Sequence, residues 1–201
     1  MATEPPEGFR SRSLVLHDEA VGAKWLRLYR RTFPDPLGFG KAPSRFSPPA
    51  DGTERYGVVY LGSSVSVALA ETLVRDRGDG RIGDLPIELA EFEAWACVEI
   101  HVGSPLRLVD LRGDGPLRMG IPSDVAHAAD WRLGQVWSAA LHAHDLQPDG
   151  LIYLSRFTGE PNLAVFERAL VKLAPSGQFG LLLDWREELA GAIRRFGLRM
   201  V

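Results

Sequence analysis

The stretch SRFSPPADGTERYGVVYLGSSVSVALAETLVRD, residues 44–76, determines how the rest of the chain is interpreted. It places an arginine, a tyrosine and a carboxylate on three successive elements. Arg45 lies in a turn stiffened by Pro48 and Pro49, since proline fixes φ and favours extended geometry in the residue before it. Tyr60 lies at the end of a short β-branched run, GVVYL, which predicts a buried strand.

A helix is predicted to follow that strand and to carry the carboxylate of Glu71. Ser64 is the expected N-cap, because its hydroxyl can accept a hydrogen bond from a backbone N–H of the first turn. Glu71 is the only charged residue between Val65 and Val74, on a helix that is apolar almost all round. A carboxylate placed there loses solvation unless another group bonds to it. The residues alone leave two uses open, a functional site or a buried ion pair, for example with Arg45.

The remaining pattern predicts an α+β fold, because strands lie on both sides of inserted helices without regular βαβ alternation. Residues 92–102 alternate apolar and polar side chains, which is typical of a half-buried strand. A helical region is expected from Ser123 or Asp124 to His144 with a break, and a last helix over 184–196 ends at Gly197. The other predicted strands are 25–31, 57–61, 106–111, 151–155 and 164–171, with loops at 34–52 and 76–86.

Length and composition favour one domain. The 201 residues, 45% of them hydrophobic, are enough for one buried core, and no Gly/Ser-rich or charged linker interrupts the chain. We therefore predict a single domain over residues 13–201, preceded by a flexible, polar, proline-containing tail over residues 1–12. The net charge of -3 gives no argument for direct binding of nucleic acid, whose binders usually show a basic excess.

Cysteine and histidine usage bears on compartment and metal binding. The single cysteine, Cys97, excludes an intramolecular disulfide and a cysteine-cluster metal site, so a reducing cytoplasm is the expected location. The N-terminus lacks an apolar signal core and no stretch approaches about 18 apolar residues, so neither export nor membrane insertion is expected. His142 and His144 are two residues apart, which places them on different helix faces, and no metal site is predicted.

The order of these motifs resembles the RES domain, a family named for arginine, glutamate and serine. RES domains are the toxin half of bacterial Xre–RES toxin–antitoxin pairs. The matching pieces span roughly residues 25–170 and are LYR (28–30), RFSPP (45–49), VVYLGSS (58–64), ALAETL (68–73), LIYLSRF (151–157) and GEPNLAVFE (159–167). The resemblance implies a mixed β-sheet core with flanking helices, similar to ADP-ribosyltransferases of the diphtheria-toxin type.

The resemblance further implies that Arg45, Tyr60, Glu71 and Ser155 act on NAD+, breaking the bond between nicotinamide and ribose. Nicotinamide leaves as a neutral base, so the difficult part is the positive charge that develops on the ribose. Glu71 is expected to stabilise that charge, and Arg45 to grip the pyrophosphate or orient the ribose through its planar guanidinium. Tyr60 is expected to stack on nicotinamide, and Ser155 to orient the ribose or the carboxamide.

Two further side chains are candidates at the same site. Arg156 follows Ser155 and points the other way on a regular strand, but a bend can turn it towards a phosphate, so it is counted among the NAD+-binding residues. Tyr56 is the alternative to Tyr60 if the strand register is shifted.

The protein implied by the resemblance is a cytoplasmic toxin that degrades NAD+, with water or inorganic phosphate as acceptor, until an Xre-type antitoxin covers its site. NAD+ is then a substrate, and no prosthetic group is expected. Two rival functions stay open: transfer of ADP-ribose to a protein, and non-catalytic binding of a nucleotide or a partner helix. The sequence does not decide whether the chain forms homo-oligomers.

Overall fold

The fold is a mixed, curled sheet flanked by short helices, in a computed structural model that describes residues 4–40, 42–53, 55–75, 77 and 84–201. The strands are β1 (Leu16–Glu19), β2 (Lys24–Arg30), β3 (Val58–Gly62), β4 (Leu85–Ile87), β5 (Trp95–Val102), β6 (Leu106–Asp110), β7 (Gly150–Leu154), β8 (Pro161–Phe166), β9 (Leu173–Leu181) and β10 (Leu198–Met200). The α-helices are α1 (Val65–Leu69), α2 (Leu89–Glu93), α3 (Gly115–Met119), α4 (Arg132–His142) and α5 (Arg186–Phe196). A π-helical turn, Ala70–Val74, continues α1.

In the described part of the chain, eight strands form one sheet in the order β1-β6-β7-β8-β3-β2-β5-β9, and β10 pairs with β4 in a second, two-stranded sheet. Only β6 and β7 run parallel among the described pairs of the large sheet. Its two halves are joined weakly, because β2 and β3 pair at a single position, Leu26 opposite Gly62. The sheet therefore opens between β2 and β3 beyond that pair.

The two faces of the sheet are covered differently. On one face, side chains from both halves, including Val59, Leu61, Val98 and Ile100, pack on one another inside the curl. On the other face, α4 covers the half built from β3, β6, β7 and β8 through the buried Trp137, while α1 and α5 cover β2 and β5. The opening between β2 and β3 thus lies between two separately packed helical layers.

Two of the predicted helix ends are confirmed. Ser64 Oγ accepts a hydrogen bond from Val67 N at 3.2 Å, so the predicted N-cap of α1 is confirmed. Gly197 follows α5 with φ 59, the left-handed conformation expected of a glycine that ends a helix. The helical region predicted from residue 123 has its break: a 3-10 turn, Ser123–Ala126, precedes α4, and Ser123 and Asp124 lie inside that turn instead of capping a helix.

The prediction of a half-buried strand over residues 92–102 is wrong in two respects, the residue at which the strand begins and the exposure of its polar face. Residues 89–93 form α2, and β5 begins at Trp95. In the alternation over residues 92–102, Cys97 falls on the face that carries the polar side chains, yet it is fully buried. The reason is that β5 lies between β2 and β9 with apolar clusters on both faces, and doubly covered strands do not keep a simple polar alternation.

Several other boundaries also differ. The strand predicted over 164–171 corresponds to β8, which begins earlier, at Pro161, and ends at Phe166. Residues Glu167–Lys172 form a 3-10 turn instead. The loop predicted over 76–86 ends earlier, because β4 begins at Leu85. Residues 76 and 78–83 of that loop lie outside the described residues. The tail predicted over 1–12 includes Phe9, which is buried and meets the Trp137 ring edge-on at 5.1 Å, because an aromatic ring there completes the apolar layer under α4. No helix in the described ranges is long and apolar enough to cross a membrane.

Candidate active site

A cavity of about 230 Å³ lies where β2 and β3 separate. Leu28 of β2 and Tyr60 of β3 line its two edges, two residues beyond the single Leu26–Gly62 pair in each strand. Because the strands do not bond to each other there, side chains from the helical layers on either side can meet over the opening.

The floor of the cavity is one face of three neighbouring strands. Gly62 is registered with Asn162 of β8, and Asn162 with Tyr153 of β7. Tyr60 is two residues from Gly62 and shares its face. Asn162 and Tyr153 are both buried, at 3% exposure each. The floor therefore presents one amide and two phenols to the cavity.

Glu71 reaches this floor because α1 packs directly on β3. A Cβ at Gly62 would lie 2.8 Å from Ala68 N, so only glycine lets the helix come this close. The π-helical turn that follows carries Glu71, and π turns inside helices are frequent at functional sites. Asn162 Nδ2 donates a hydrogen bond to Glu71 Oε1 at 3.4 Å. The half-buried carboxylate is thus held by a neutral amide, not by the ion pair that the sequence left open.

Arg45 enters from the opposite side, on a turn fixed at both ends. Tyr60 Oη accepts a hydrogen bond from Phe46 N at 2.8 Å and lies 2.9 Å from Ser44 Oγ. Gln135 Nε2, on α4, donates to Ser44 O at 3.0 Å. Arg45 is 7% exposed, and its guanidinium donates from Nη1 to Ala128 O at 2.5 Å. The sheet and α4 together therefore set the position of Arg45.

The electrostatics of the site are unusual for a protein of net charge -3. Burial lowers the pKa of Arg45; Arg156 and Arg75 lower it further, while Tyr153 and Glu71 act the other way. Since a guanidinium stays protonated in proteins, Arg45 remains a cation that lacks most of its hydration. The site therefore combines arginines with one carboxylate, which suits a ligand that carries both charges.

The two phenols remain neutral at physiological pH. Burial raises the pKa of Tyr60 to about 12, against the opposing bonds from Ser44 and Phe46. Burial also raises the pKa of Tyr153 well above its ordinary value, with Glu71 and Tyr60 adding to the effect. Both rings can therefore form hydrogen bonds to a ligand or to the protein without adding negative charge beside Glu71.

Three of the predicted residues, Arg45, Tyr60 and Glu71, line this one cavity. Their predicted roles in binding and catalysis stay predictions. The structure also shows a second role for Tyr60. Its hydroxyl bonds to Ser44 and Phe46 on either side of Arg45, so Tyr60 holds the turn that positions Arg45.

Ser155 and Arg156 lie beyond the end of β7, outside the described lining of the cavity. Ser155 is buried at 2% exposure, and its Oγ accepts a hydrogen bond from Phe157 N at 3.2 Å, as in a local turn cap. The bend anticipated after Ser155 is present, and Arg156 lies close enough to Arg45 to lower its pKa. Arg156 stacks on the Phe157 ring, with its guanidinium carbon 4.6 Å from the centroid.

Sequence reasoning missed five polar residues that line the cavity: Ser44, Thr72, Arg75, Tyr153 and Asn162. Two of them had a signal. Asn162 is the one polar side chain at the start of an otherwise apolar strand, and Tyr153 is two residues before Ser155, on the same face of the predicted strand. Arg75 closes the helix that carries Glu71, and only the fold shows that it turns back towards the cavity.

Tyr56 does not take the place of Tyr60. Its hydroxyl donates to Ser138 Oγ at 3.0 Å, and its ring stacks on His142 at 4.0 Å, away from Glu71. It borders a larger cavity of about 730 Å³ on the far side of the turn that carries Arg45. There the carboxylate of Glu167 already accepts a bond from Gly57 N at 2.8 Å. The charged groups that converge without pairing to each other are at the smaller cavity.

Comparison with known proteins identifies the family of the chain. A family model described as the RES domain matches residues 19–184. The chain belongs to the RES domain family. A protein of Sinorhizobium fredii (strain NBRC 101917 / NGR234) named "Probable toxin y4kH" is 48% identical over 128 residues, which are 64% of this chain and 100% of that protein.

A solved structure shares the fold. The toxin in the M. tuberculosis MbcT–MbcA toxin–antitoxin complex superposes with a TM-score of 0.62 at 18% identity, covering 85% of this chain and 91% of that one. At this identity the likeness concerns the fold alone. The predicted α+β class, with a mixed sheet of the ADP-ribosyltransferase-like kind, is confirmed. The family match makes this chain a RES-domain protein, and the named relative is described as a probable toxin.

Proposed function

We propose that this protein is the toxin of a toxin–antitoxin pair and that it cleaves the nicotinamide–ribose bond of NAD+, with water or inorganic phosphate as acceptor. The observation that carries the proposal is the arrangement of Glu71 and Arg45 around one cavity. Each bonds to a neutral group, Glu71 to the amide of Asn162 and Arg45 to the carbonyl of Ala128. Opposite charges are thus held in place without cancelling through a direct bond.

NAD+ matches both charges. Its pyrophosphate is anionic, and planar guanidinium groups bind phosphate oxygens through paired hydrogen bonds. Its nicotinamide ribose becomes positive as the glycosidic bond breaks, and a fixed carboxylate in a water-poor site stabilises such a charge strongly. In this arrangement Glu71 faces the ribose and Arg45 faces the phosphates.

The bond that breaks joins ribose C1′ to the nicotinamide nitrogen, and its electron pair leaves with nicotinamide. No general acid is required, because the leaving nitrogen loses its positive charge on departure. An oxygen of water or phosphate then bonds to C1′, and the proton of water passes to solvent. Asn162 holds the Glu71 carboxylate in position throughout, and the phenols of Tyr60 and Tyr153 stay neutral and so add no negative charge beside it.

The family and the solved complex support a proposal for the partner. RES domains occur with Xre-type antitoxins, and the MbcT structure is a complex of toxin with antitoxin. We propose that an Xre-type antitoxin inhibits this chain and that the toxin acts in the cytoplasm, where NAD+ is abundant and a free thiol such as Cys97 stays reduced.

The test is to incubate the purified protein with NAD+, with and without inorganic phosphate, and to identify the products by mass spectrometry. Nicotinamide with ADP-ribose indicates hydrolysis, and nicotinamide with a phosphorylated ADP-ribose indicates phosphorolysis. ADP-ribose found on a protein, without bulk loss of NAD+, would favour the transferase rival. NAD+ binding in a calorimeter without nicotinamide release would show a non-catalytic module and overturn the proposal.

A further inference from the structure

The cavity is too small for a whole dinucleotide. Its volume of about 230 Å³ falls below the roughly 300–1,000 Å³ of pockets that enclose drug-sized ligands. If Glu71 faces the nicotinamide ribose, as the proposed function requires, that half of NAD+ fills the cavity. The adenosine half must then lie against residues at its border.

Arg75 is the lining residue that leads to such a border. It directly follows the π-helical turn that carries Glu71, and its guanidinium carbon lies 4.3 Å from the centroid of the Trp131 ring. Trp131 immediately precedes α4, the helix whose Gln135 holds the turn of Arg45. Arg75 and Arg45 therefore approach the cavity from opposite walls. Trp131 contacts Arg75, and it adjoins α4, the helix that supports the turn of Arg45.

We propose that the Arg75–Trp131 pair is the subsite for the adenosine half of NAD+, with the adenine ring stacked on this pair and the pyrophosphate between Arg45 and Arg75. This inference rests on the proposed function and extends it to substrate selection. Indole and guanidinium planes are the surfaces on which bases stack in proteins, and the gain does not depend on base-edge hydrogen bonds. The order carboxylate, arginines, aromatic ring repeats the order ribose, pyrophosphate, adenine in the dinucleotide.

The subsite predicts a particular selectivity. Nicotinamide mononucleotide has the same scissile bond as NAD+ but lacks the adenosine, so it can use Glu71 and one phosphate contact but not Trp131. The wild-type protein is therefore expected to prefer NAD+ over the mononucleotide in kcat/KM. Part of that preference comes from the Trp131 ring and is lost when the ring is removed.

The experiment compares kcat/KM for both substrates in wild type and Trp131→Ala. We expect a fall of about tenfold or more for NAD+ and less than twofold for the mononucleotide, because a stacked base contributes roughly this much to binding. Trp131→Phe keeps a ring and should recover most of the NAD+ rate. The matched control is Trp95→Ala, which removes a similar pair, Arg30 over Trp95 at 4.4 Å, away from the cavity.

A second measurement separates this subsite from a purely structural role and does not need turnover. AMP binding by calorimetry should weaken about tenfold in Trp131→Ala and stay unchanged in Trp95→Ala. An equal fall for both substrates, or AMP binding that ignores Trp131, overturns the subsite while leaving the NAD+ activity intact. Absence of nicotinamide release in the wild-type protein overturns the proposed function instead, so the two failures are distinguishable.

Discussion

The most direct test of the site is Glu71→Gln. The substitution keeps the size and shape of the side chain, and its amide oxygen can still accept the hydrogen bond that Asn162 Nδ2 donates at 3.4 Å. The capped helix α1, the close contact at Gly62 and the apolar packing beneath it are unchanged. The variant therefore removes one negative charge and leaves the fold in place.

The magnitude follows from the setting of that charge. A unit charge pair about 4 Å apart interacts by about 4 kcal/mol at an effective dielectric constant near 20, which is roughly a thousandfold in rate. The ribose carries only part of a full charge in the transition state, so the expected loss is smaller. We expect a fall in kcat of about a hundredfold or more, similar to removal of one preorganised electrostatic group elsewhere.

The assay is nicotinamide release from saturating NAD+, with thermal unfolding measured in parallel. Glu93→Gln is a suitable control, since it removes the same charge from an exposed position at the end of α2. A Glu71→Gln protein that unfolds at the wild-type temperature and still turns over NAD+ at a near-normal rate would refute the role given to the carboxylate. A lower unfolding temperature would point to a structural role instead.

Three further predictions concern the supports of the site and the stability of the fold. Tyr60→Phe leaves Phe46 N without its 2.8 Å acceptor, so KM for NAD+ should rise about tenfold with a smaller change in kcat. Gln135→Met removes the 3.0 Å bond to Ser44 O at similar volume and should raise KM several-fold; a changed kcat with unchanged KM would argue against positioning through Arg45. Burial, with a smaller effect of a neighbouring arginine, lowers the pKa of His142 from 6.5 to about 4. As the pH falls, His142 therefore takes up its proton in the unfolded chain before it does so in the folded protein. The free energy of unfolding is then expected to fall by roughly 1–2 kcal/mol between pH 6.5 and 4, after allowance for partial exposure, and to level off below pH 4. In urea titrations, the free energy of unfolding of His142→Phe should depend less on pH than that of wild type across that window. The same pH dependence in both proteins would contradict the role given to His142.

The parts of the fold that the sequence predicted are those with a local physical signal. Ser64 and Gly197 mark helix ends through side-chain capping and left-handed backbone, both of which act within a few residues. The edge strand β9 was missed because Pro175 and two glycines break its pattern, and such residues are tolerated at a sheet edge, where part of the backbone needs no partner. The burial of Cys97 depends on which strands flank β5, which periodicity alone does not contain.

The site shows the same division. Arg45, Tyr60 and Glu71 were predicted from one continuous stretch and from its family resemblance, and they do line one cavity. Asn162 and Tyr153 come from strands about a hundred residues later, and they reach Glu71 only through the pairing of β7 with β8 and of β8 with β3. Short-range patterns cannot give that register, although a buried asparagine in an apolar strand is a signal worth following.

The strongest physical argument for function is how Glu71 differs from Asp110 and Asp149, two other carboxylates of the same protein that are largely buried. Asp110 forms two bonds with Arg112, and Asp149 is bridged to Lys172 at 2.7 Å, so these acids pair directly with a nearby cation. Glu71 is close enough to Arg45 to raise the pKa of its guanidinium. The hydrogen bond that holds Glu71 nevertheless comes from the amide of Asn162. Direct pairing would stabilise the empty site but would have to be broken before a ligand could enter. Keeping the charges apart costs stability, and a ligand that is positive at one end and anionic at the other recovers it on binding.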